Sequence, residues 1–289
     1  MIRWLLLLCC LAFQAAAAPT VLIADLNGRY GSTSYHDRVS AMIEAIIALQ
    51  PEAVIIAGDM VAGQVSPPLP DARIDAMWQS FDKTVYQPLT AAGVAVLPVP
   101  GNHDASIYRA YNSERQAYGR YWGERVPSKL SADSNFPWFY ARELAVGRMV
   151  GLDVTAPGNL SEEQVSFLSA QRTAGQQRLL VATHLPLYPV AVGRERETFV
   201  SSLAPEEGEL WIAGHHHAYY AGLMPGGGLQ LSLPAMGGNR RAWIGGTAMG
   251  PFGFSVLADE GEPRLYAWPG LEPTNEKIGP AAIGELKRF

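Results

Sequence analysis

The sequence predicts an α/β fold with functional side chains at one edge of a β-sheet, on three observations. Short apolar runs alternate with stretches of helical periodicity in the first third of the chain, which is the order of elements in α/β proteins. Each of these runs is followed by a polar residue, and ligands of α/β sheets bind beyond the carboxyl ends of the strands. Later apolar runs are separated by glycine-rich turns, which predicts antiparallel strands.

The first half of the chain alternates strands with helices. The β-branched and apolar run Thr20–Ala24 predicts a buried strand that ends at Asp25. Apolar residues then recur at helical spacing until Pro51 ends the helix. The predicted elements of this half are strands at 20–24, 53–57 and 94–97, and helices at 36–49, 71–92 and 106–121.

The second half contains more strands than helices. Ser161 is followed three residues later by Gln164, a capping box that marks the start of a helix. The predicted elements are strands at 138–144, 148–153, 178–183, 209–213, 219–223, 229–233, 252–258 and 264–267, and helices at 160–172 and 197–203. The tail 269–289 shows no periodicity, so we expect it to be loosely attached.

The first eighteen residues form a segment of their own. Arg3 supplies a positive charge, residues 4–13 an apolar run, and residues 15–18 four alanines, the pattern of a secretory signal peptide. The apolar run is about half the length that a transmembrane helix needs, and leucines stand where a lipoprotein has small residues before its cysteine. We therefore expect a signal peptide over 1–18, one domain over 19–289, no stable membrane anchor, and a periplasmic or secreted location.

Composition limits the possible partners and metal ligands. The chain has 289 residues, 48% of them hydrophobic, and a net charge of −5, so it can bury a large core but lacks the basic character of a nucleic-acid-binding protein. Both cysteines, Cys9 and Cys10, lie in the predicted signal peptide. Histidine, carboxylate and amide groups are therefore the only strong metal ligands in the processed chain.

Three consecutive histidines, His215, His216 and His217, follow the predicted strand at 209–213. A histidine triplet is compatible with a solvated loop. In an extended backbone, His215 and His217 would point to one face and His216 to the other. Two imidazoles at the end of a strand would then indicate a metal site, and the other strand ends decide between the two interpretations.

Five strand ends carry residues that can bind a metal ion. They are Asp25, Asp59, Asn102, His184 and the pair His215/His217. Singly, each has an ordinary explanation as a helix cap or a polar surface residue. Together, the series D-x-N, G-D, G-N-H-D, a lone H and G-H-x-H resembles the calcineurin-like metallophosphoesterase superfamily, and the resemblance extends from Val21 to about Tyr219.

The resemblance implies a fold and a metal centre. The fold is a four-layer α-β-β-α sandwich of two mixed β-sheets flanked by helices, with two divalent ions at its edge. By similarity, Asp25 and His217 hold the first ion, Asp59 bridges both, and the second ion is held by Asn102, His184 and His215. A carboxylate suits the bridging position because its two oxygens accept independently. Paired ions of this kind activate water and bind the phosphoryl oxygens.

The histidine of G-N-H-D has its own role in the family, beside the metals rather than on them. By similarity, His103 protonates the leaving oxygen or stabilises the phosphate. We expect Asp104 to orient the His103 imidazole, as carboxylates behind reactive histidines commonly do.

The first motif departs from the family pattern, since Asn27 stands where D-x-H has its histidine. An amide oxygen is a harder and weaker ligand than imidazole, so the first site should bind less tightly or prefer Mn²⁺ or Mg²⁺. We expect two divalent ions, chosen from Mn, Fe, Zn and Mg, with Mn favoured. His36 is a weak candidate as a replacement ligand, and His216 is expected to pack rather than coordinate.

Arginines are the candidates for substrate contact. Arg29 lies in the loop after Asn27, and Arg240 and Arg241 lie in a glycine-rich loop. Each can bind a phosphate bidentately, or be a solvated surface residue. The tyrosine-rich helix predicted at 106–121 is compatible with stacking on a nucleobase or with ordinary packing.

The sequence thus predicts an exported metal-dependent phosphoesterase acting on a small phosphorylated substrate. A catalytically impaired binding protein on the same scaffold is the first alternative, because Asn27 weakens one metal site. A nuclease is the second, although it would need a basic groove that the composition does not supply. The oligomeric state does not follow from the sequence.

Overall fold

The computed structural model describes residues 17–157, 160–175, 177–187, 205–224, 227–241, 249–258 and 262–274. Within these residues the chain forms two mixed six-stranded sheets, which pack face to face with helices on their outer faces. The predicted four-layer α-β-β-α fold is confirmed. The helix predicted at 197–203 and residues 1–16 of the predicted signal peptide lie outside the described residues.

The first sheet places Asp25 and Asp59 at one edge. Its strands are β1 (Thr20–Ile23), β2 (Ala53–Ala57), β3 (Ala95–Val99), β10 (Gly253–Leu257), β11 (Arg264–Ala267) and β12 (Pro273–Thr274). Their spatial order is β12-β11-β10-β1-β2-β3. Strands β1, β2 and β3 are parallel, and β10 runs antiparallel to β1. The carboxyl ends of β1, β2 and β3 therefore meet at the same edge.

The second sheet carries the histidines. Its strands are β4 (Tyr140–Leu144), β5 (Gly147–Gly151), β6 (Leu179–Ala182), β7 (Leu210–Ala213), β8 (Tyr220–Leu223) and β9 (Leu229–Ser232). Their order is β4-β5-β6-β7-β9-β8. The antiparallel strands expected after the histidine triplet are confirmed for the pairs β8–β9 and β10–β11, and β9 also pairs parallel with β7. The hairpin of β8 and β9 inserts β9 next to β7, so β9 regains the direction of β7.

The helices follow the predicted order, with differences at two places. They are α1 (Asp37–Ala48), α2 (Asp71–Phe81), α3 (Gln87–Ala91), α4 (Asn102–Ala105), α5 (Asn112–Gly123) and α6 (Glu162–Thr173). A π-helical turn at Asp82–Tyr86 joins α2 to α3, within the single helix predicted at 71–92. A 3₁₀ turn at Arg109–Tyr111 precedes α5, so the helix predicted at 106–121 begins later. Ser161 caps α6 through the backbone N–H of Gln164, as predicted.

Three apolar layers hold the four structural layers together. The middle layer lies between the sheets and includes Leu22, Ile55, Leu180 and Ile212. The outer layers lie between each sheet and its helices. Because β1, β2, β6 and β7 have every side chain buried, their apolar runs show no alternation, as expected for strands covered on both faces.

The tyrosines of α5 belong to the core. Tyr118 is fully buried, and the ring of Tyr121 stacks on Trp78 with centroids 4.5 Å apart. These two rings pack rather than bind a nucleobase. No helix in the described part of the chain combines the length and the apolar character needed to cross a membrane.

Candidate metal centre

The carboxyl ends of five strands converge on one site. Asp25 and Asp59 follow β1 and β2. Asn102 begins α4, three residues after the last residue of β3. His184 follows β6, and His215 and His217 follow β7. The carboxylates of Asp25 and Asp59 and the imidazole of His184 are almost completely buried. The structure thus brings together side chains that lie up to 192 residues apart, between Asp25 and His217.

Four of these residues adopt left-handed backbone conformations. The φ angles are 53° at Asp25, 55° at Asp59, 69° at His215 and 53° at His217. The histidine triplet is therefore not extended, which corrects the geometry that we predicted for it. His216 is nonetheless turned inward and is 3% exposed, because the turns on either side of it separate the three rings.

The first group of candidate ligands consists of Asp25, Asp59 and His217. One oxygen or nitrogen atom from each lies within 4.8 Å of the others, and His217 Nε2 is 3.2 Å from Asp25 Oδ1. A Cβ atom added to Gly238 would lie 2.6 Å from His217 Cε1 and 3.5 Å from Asn27 Oδ1. Asn27 and His217 therefore both border Gly238, and Asn27 lies at the edge of the first group.

The second group consists of Asn102, His184 and His215. Asn102 Oδ1 is 2.9 Å from His184 Nε2 and 2.9 Å from His215 Nδ1. Asp59 Oδ1 is 3.3 Å from His184 Nε2. Asp59 therefore belongs to both groups and lies between them.

Backbone carbonyl groups fix the rings of two of these histidines. His184 Nδ1 is 2.8 Å from Ala57 O, and His217 Nδ1 is 2.6 Å from Asn239 O. A carbonyl oxygen can only accept, so each Nδ1 carries a proton, and when the ring is neutral its Nε2 lone pair faces the site. Metal-binding histidines are typically oriented in this way, so the donor set fits divalent cations bound by nitrogen and oxygen.

The electrostatics of the site favour positive charge next to the buried carboxylates. Burial opposes ionisation of Asp59, but His184 and His103 outweigh burial and hold the pKa of this carboxyl well below its usual range. Burial likewise disfavours a charged His184, yet Asp59 raises the His184 pKa to about 9. The buried carboxylates thus recruit protons onto the surrounding imidazoles. Metal ligands must give up these protons, so cation binding and protonation compete for the same atoms.

His103 lies beside the two groups. Its backbone N–H donates to Asp59 Oδ1 at 2.9 Å, and its Nδ1 donates to Gly63 O at 2.7 Å. The Nε2 atom is 3.9 Å from Asp59 Oδ2, and the side chain is 17% exposed. His103 therefore presents Nε2 at the border between the site and solvent.

Asp104 does not orient the His103 imidazole, and that prediction is wrong. Its carboxylate instead accepts from the backbone N–H groups of Val61 and Gly101, at 2.8 and 3.1 Å. Burial, followed by the charge of Asp59, raises the Asp104 pKa to about 8. Asp104 lies one residue beyond His103 on α4, and it turns back to hold the loops that carry Asp59 and Asn102.

Two glycines allow these loops to approach each other. Gly58 has a φ of +84°, and a Cβ atom there would lie 2.3 Å from His184 Nδ1. A Cβ atom at Gly101 would lie 2.1 Å from the backbone nitrogen of Asp59. A side chain at Gly58 would displace His184, and one at Gly101 would displace Asp59.

The predicted substrate-binding arginines surround the site unequally. Arg241 donates to His215 O at 3.2 Å and is exposed. Arg240 is also exposed, and its guanidinium lies 5.3 Å from the Phe252 ring centroid. Arg29 is exposed in the loop after Asn27. His36 caps α1, where its Nδ1 accepts from the Arg38 N–H at 3.2 Å, so the structure gives this histidine a structural role.

Four residues that support the site are missed by sequence reasoning. Gln64 contacts Asn102, Glu114 contacts Gln64, Arg38 holds the loop at 236–238, and Asn239 holds His217. These residues belong to no motif, and Glu114 and Arg38 stand in helices where charged residues usually face solvent. Their roles arise from contacts between distant segments.

Comparison with known proteins identifies the family of the chain. The family model for calcineurin-like phosphoesterases matches residues 18–219. A search of curated protein sequences found no match.

Similar solved structures include a dimetal phosphatase from Danio rerio, with 17% identity, a TM-score of 0.55, and coverage of 91% of this chain and 98% of that one. A purple acid phosphatase from yellow lupin is 12% identical with a TM-score of 0.61, and the alignment covers 93% of this chain and 55% of that one. The PhoD structure is 8% identical with a TM-score of 0.62, over 90% of this chain and 68% of that one. At these identities the structures support the fold, and the family match supports the chemistry. The chain belongs to the calcineurin-like phosphoesterase family and is a metal-dependent hydrolase of phosphoric ester bonds.

Proposed function

We propose that this protein is exported and hydrolyses small phosphomonoesters or phosphodiesters at a centre that binds two divalent cations. The position of Asp59 carries the proposal. Its carboxylate lies within reach of Asp25 and His217 on one side and of His184 on the other. A carboxylate shared by two ligand groups is suited to bridge two cations.

The ligands divide between two cation positions. Asp25 and His217 form the first position, with Asn27 beside them. Asn102, His184 and His215 form the second. The donor atoms are oxygen and nitrogen only, which suits Mn, Fe, Zn or Mg. We favour Mn because an amide replaces an imidazole at Asn27.

The two cations would lower the pKa of a water molecule and withdraw negative charge from the phosphoryl oxygens. The chain supplies the remaining chemistry. His103 faces the site through Nε2, while its Nδ1 proton is held by Gly63 O. When protonated on both nitrogens, His103 can donate the Nε2 proton to the leaving oxygen and remain hydrogen-bonded to Gly63.

The rim of the site supports a role for Arg241 and Tyr30 in substrate binding. The hydrogen bond to His215 O holds Arg241 at the loop that carries His215 and His217, so its guanidinium can bind phosphoryl oxygens. The Tyr30 ring lies 5.3 Å from the His103 ring and is 64% exposed. An exposed aromatic ring beside the proton donor can stack on an apolar leaving group. Arg29 and Arg240 are the further candidates for phosphate binding.

A hydrolysis screen tests the proposed activity. An aryl phosphomonoester, an aryl phosphodiester and a panel of nucleotides are incubated with the purified protein and Mn²⁺, and bound metal is measured in parallel. We expect two ions per chain and turnover of at least one class. The ratio of monoester to diester rates then defines the substrate class. One ion or fewer, with no turnover, would instead favour the catalytically impaired binding protein.

Three variants test the roles of individual residues. Asp59→Asn and His215→Ala should lose both activity and bound metal, because each removes a ligand. His103→Ala should lower turnover but keep both ions. His36→Asn is the matched control, since it removes an exposed histidine while asparagine retains the helix cap. Loss of metal from His103→Ala would contradict the separation between ligands and proton donor.

Export is tested separately from activity. The first eighteen residues have the charge and apolar pattern of a signal peptide. We expect the mature protein outside the cytoplasm, with an N-terminus near residue 18 by mass spectrometry. A full-length chain recovered from the cytoplasmic fraction would refute export without affecting the proposed activity.

A further inference from the structure

Asn102 can serve as a metal ligand only if its side-chain amide is turned the right way. The amide has one accepting end and one donating end, and only the oxygen can bind a cation. In the structure, Asn102 Oδ1 points to His184 Nε2 and His215 Nδ1. Its Nδ2 points the other way and donates to Gln64 Oε1 at 2.6 Å. The acceptor at Gln64 therefore selects the orientation in which the oxygen faces the cation position.

Gln64 is itself held in place by two contacts. Its Nε2 donates to Ser106 Oγ at 3.1 Å, which leaves Oε1 directed at Asn102. Its backbone N–H donates to Glu114 Oε2 at 2.8 Å. Gln64 has a φ of +59°, a conformation that costs a residue with a Cβ about 1 kcal/mol or more. The buried carboxylate of Glu114 offsets this strain by accepting from the strained amide.

The same segment also holds His103. Gly63 donates its N–H to His103 O at 3.0 Å and accepts from His103 Nδ1 at 2.7 Å. A Cβ atom at Gly63 would lie 2.5 Å from His103 O and 2.7 Å from Glu114 Cδ. Gly63 is therefore enclosed between His103 and the Glu114 carboxylate, which is 2% exposed.

We infer that Gln64 and Glu114 are positioning residues that support the proposed metal centre from outside it. Gln64 selects the coordinating orientation of Asn102, and Glu114 holds the segment Gly63–Gln64 against His103. The same pair of residues therefore positions both Asn102, a proposed ligand of the second cation, and His103, the proposed proton donor. These two groups must act on the same phosphoryl group. The inference rests on the proposed dinuclear centre.

Variants at Gln64 test the inference through metal affinity. Gln64→Leu removes the acceptor for Asn102 Nδ2, whereas Gln64→Glu keeps an acceptor there. Both variants keep a side chain at the left-handed position, so they carry the same backbone strain. Loss of a group that orients a ligand typically costs 10-fold to 100-fold in metal affinity. By calorimetric titration with Mn²⁺, we expect Gln64→Leu to weaken the second ion at least 10-fold. We expect Gln64→Glu to stay within about 3-fold of the unmodified protein.

Four further variants keep the test decisive. His36→Asn leaves every contact of Gln64 intact and should leave both ions bound within about 3-fold. If Gln64→Leu does not fold, Gln64→Asn replaces it, since asparagine tolerates a positive φ and its shorter side chain withdraws the acceptor. Glu114→Leu should lower turnover through His103, and Glu114→Gln, which still accepts from Gln64, should restore most of it.

The outcomes separate this inference from the proposed function. If the unmodified protein binds no Mn²⁺, the proposed function fails and the inference fails with it. If the unmodified protein and a folded Gln64→Leu bind two ions with equal affinity, only the inference is overturned. Equal loss in Gln64→Leu and Gln64→Glu would also overturn it, because shape rather than the acceptor would then matter.

Discussion

Replacement of Arg38 by methionine should loosen the loop that covers the first group of ligands. Arg38 lies on α1 and is 9% exposed. Its guanidinium donates to the carbonyl oxygens of Met236, Gly237 and Gly238 at 2.9, 2.5 and 3.3 Å. The next residue in that loop is Asn239, whose carbonyl holds the His217 ring. A chain of contacts therefore leads from Arg38 to a proposed ligand of the first cation.

The size of the effect follows from the lost contacts. Three hydrogen bonds contribute a net of about 1 kcal/mol each. The stacking of the Arg38 guanidinium on Phe252, at 3.7 Å from the ring centroid, contributes about 1 kcal/mol. Methionine recovers part of the packing, so we expect a loss of about 3 kcal/mol in the free energy of unfolding. At about 2.1 cal/mol/K of unfolding entropy per residue, this corresponds to a fall in Tm of about 5 °C for a chain of this length.

The assay measures Tm and Mn²⁺ affinity together. We expect Arg38→Met to lower Tm in metal-free buffer and to weaken the first ion more than the second. Arg120→Met is the control, because Arg120 is 61% exposed and lies 3.9 Å from an equally exposed Asp75. Exposed pairs of this kind contribute little. A Tm within about 1 °C of the unmodified protein, or equal weakening of both ions, would refute the proposed path from Arg38 to His217.

Three further predictions follow from the site. Gly58→Ala should abolish binding of the second ion, because its Cβ would lie 2.3 Å from His184 Nδ1. Gly93→Ala is the control, since Gly93 has a similar φ of +80° but open space around it, and this variant should only lower Tm. Equal metal binding in the two variants would contradict the steric reason. Tyr30→Ala should raise KM for 2-naphthyl phosphate more than for phenyl phosphate. Tyr30→Phe should have the same KM values as the unmodified enzyme. An equal rise in KM for both substrates in Tyr30→Ala would exclude stacking. Removal of metal with EDTA should lower Tm by several degrees and Mn²⁺ should restore it, since ligand at 100 times Kd stabilises by about 2.7 kcal/mol per site; an unchanged Tm would argue against a metal centre.

The parts of the fold and site that were predictable are those with a local signature. Strands that are covered on both faces have continuous apolar sequences. Parallel strands place the residues that follow them, such as Asp25 and Asp59, at one edge of the sheet. The supporting contacts have no such signature. Gln64 and Asn102 are 38 residues apart, and Arg38 and Met236 are 198 residues apart. Their pairing depends on how loops from both sheets pack, which spacing along the chain does not encode.

The error at Asp104 has the same physical origin. A carboxylate next to a reactive histidine in sequence is an obvious candidate to orient it, but consecutive residues of a helix point in different directions. On α4, the side chain of Asp104 turns back to the N–H groups of Val61 and Gly101. The imidazole of His103 turns to Gly63 instead. A backbone carbonyl thus takes the position expected for a carboxylate, and the carboxylate that supports it, Glu114, comes from a different helix.

The backbone of His215 and His217 is left-handed rather than extended, yet both imidazoles still reach the proposed metal centre. An extended strand would place His215 and His217 side by side on one face. With φ near +60° at both, His215 turns to Asn102 and His217 to Asp25, so each ring reaches a different group. Asp25 and Asp59 share this conformation, and four such residues together cost about 4 to 8 kcal/mol. Two cations at 100 times Kd would contribute about 5 kcal/mol, which is of the same order as that strain. The strained backbone therefore matches the divided centre proposed here, because it separates ligands that a regular strand would keep together.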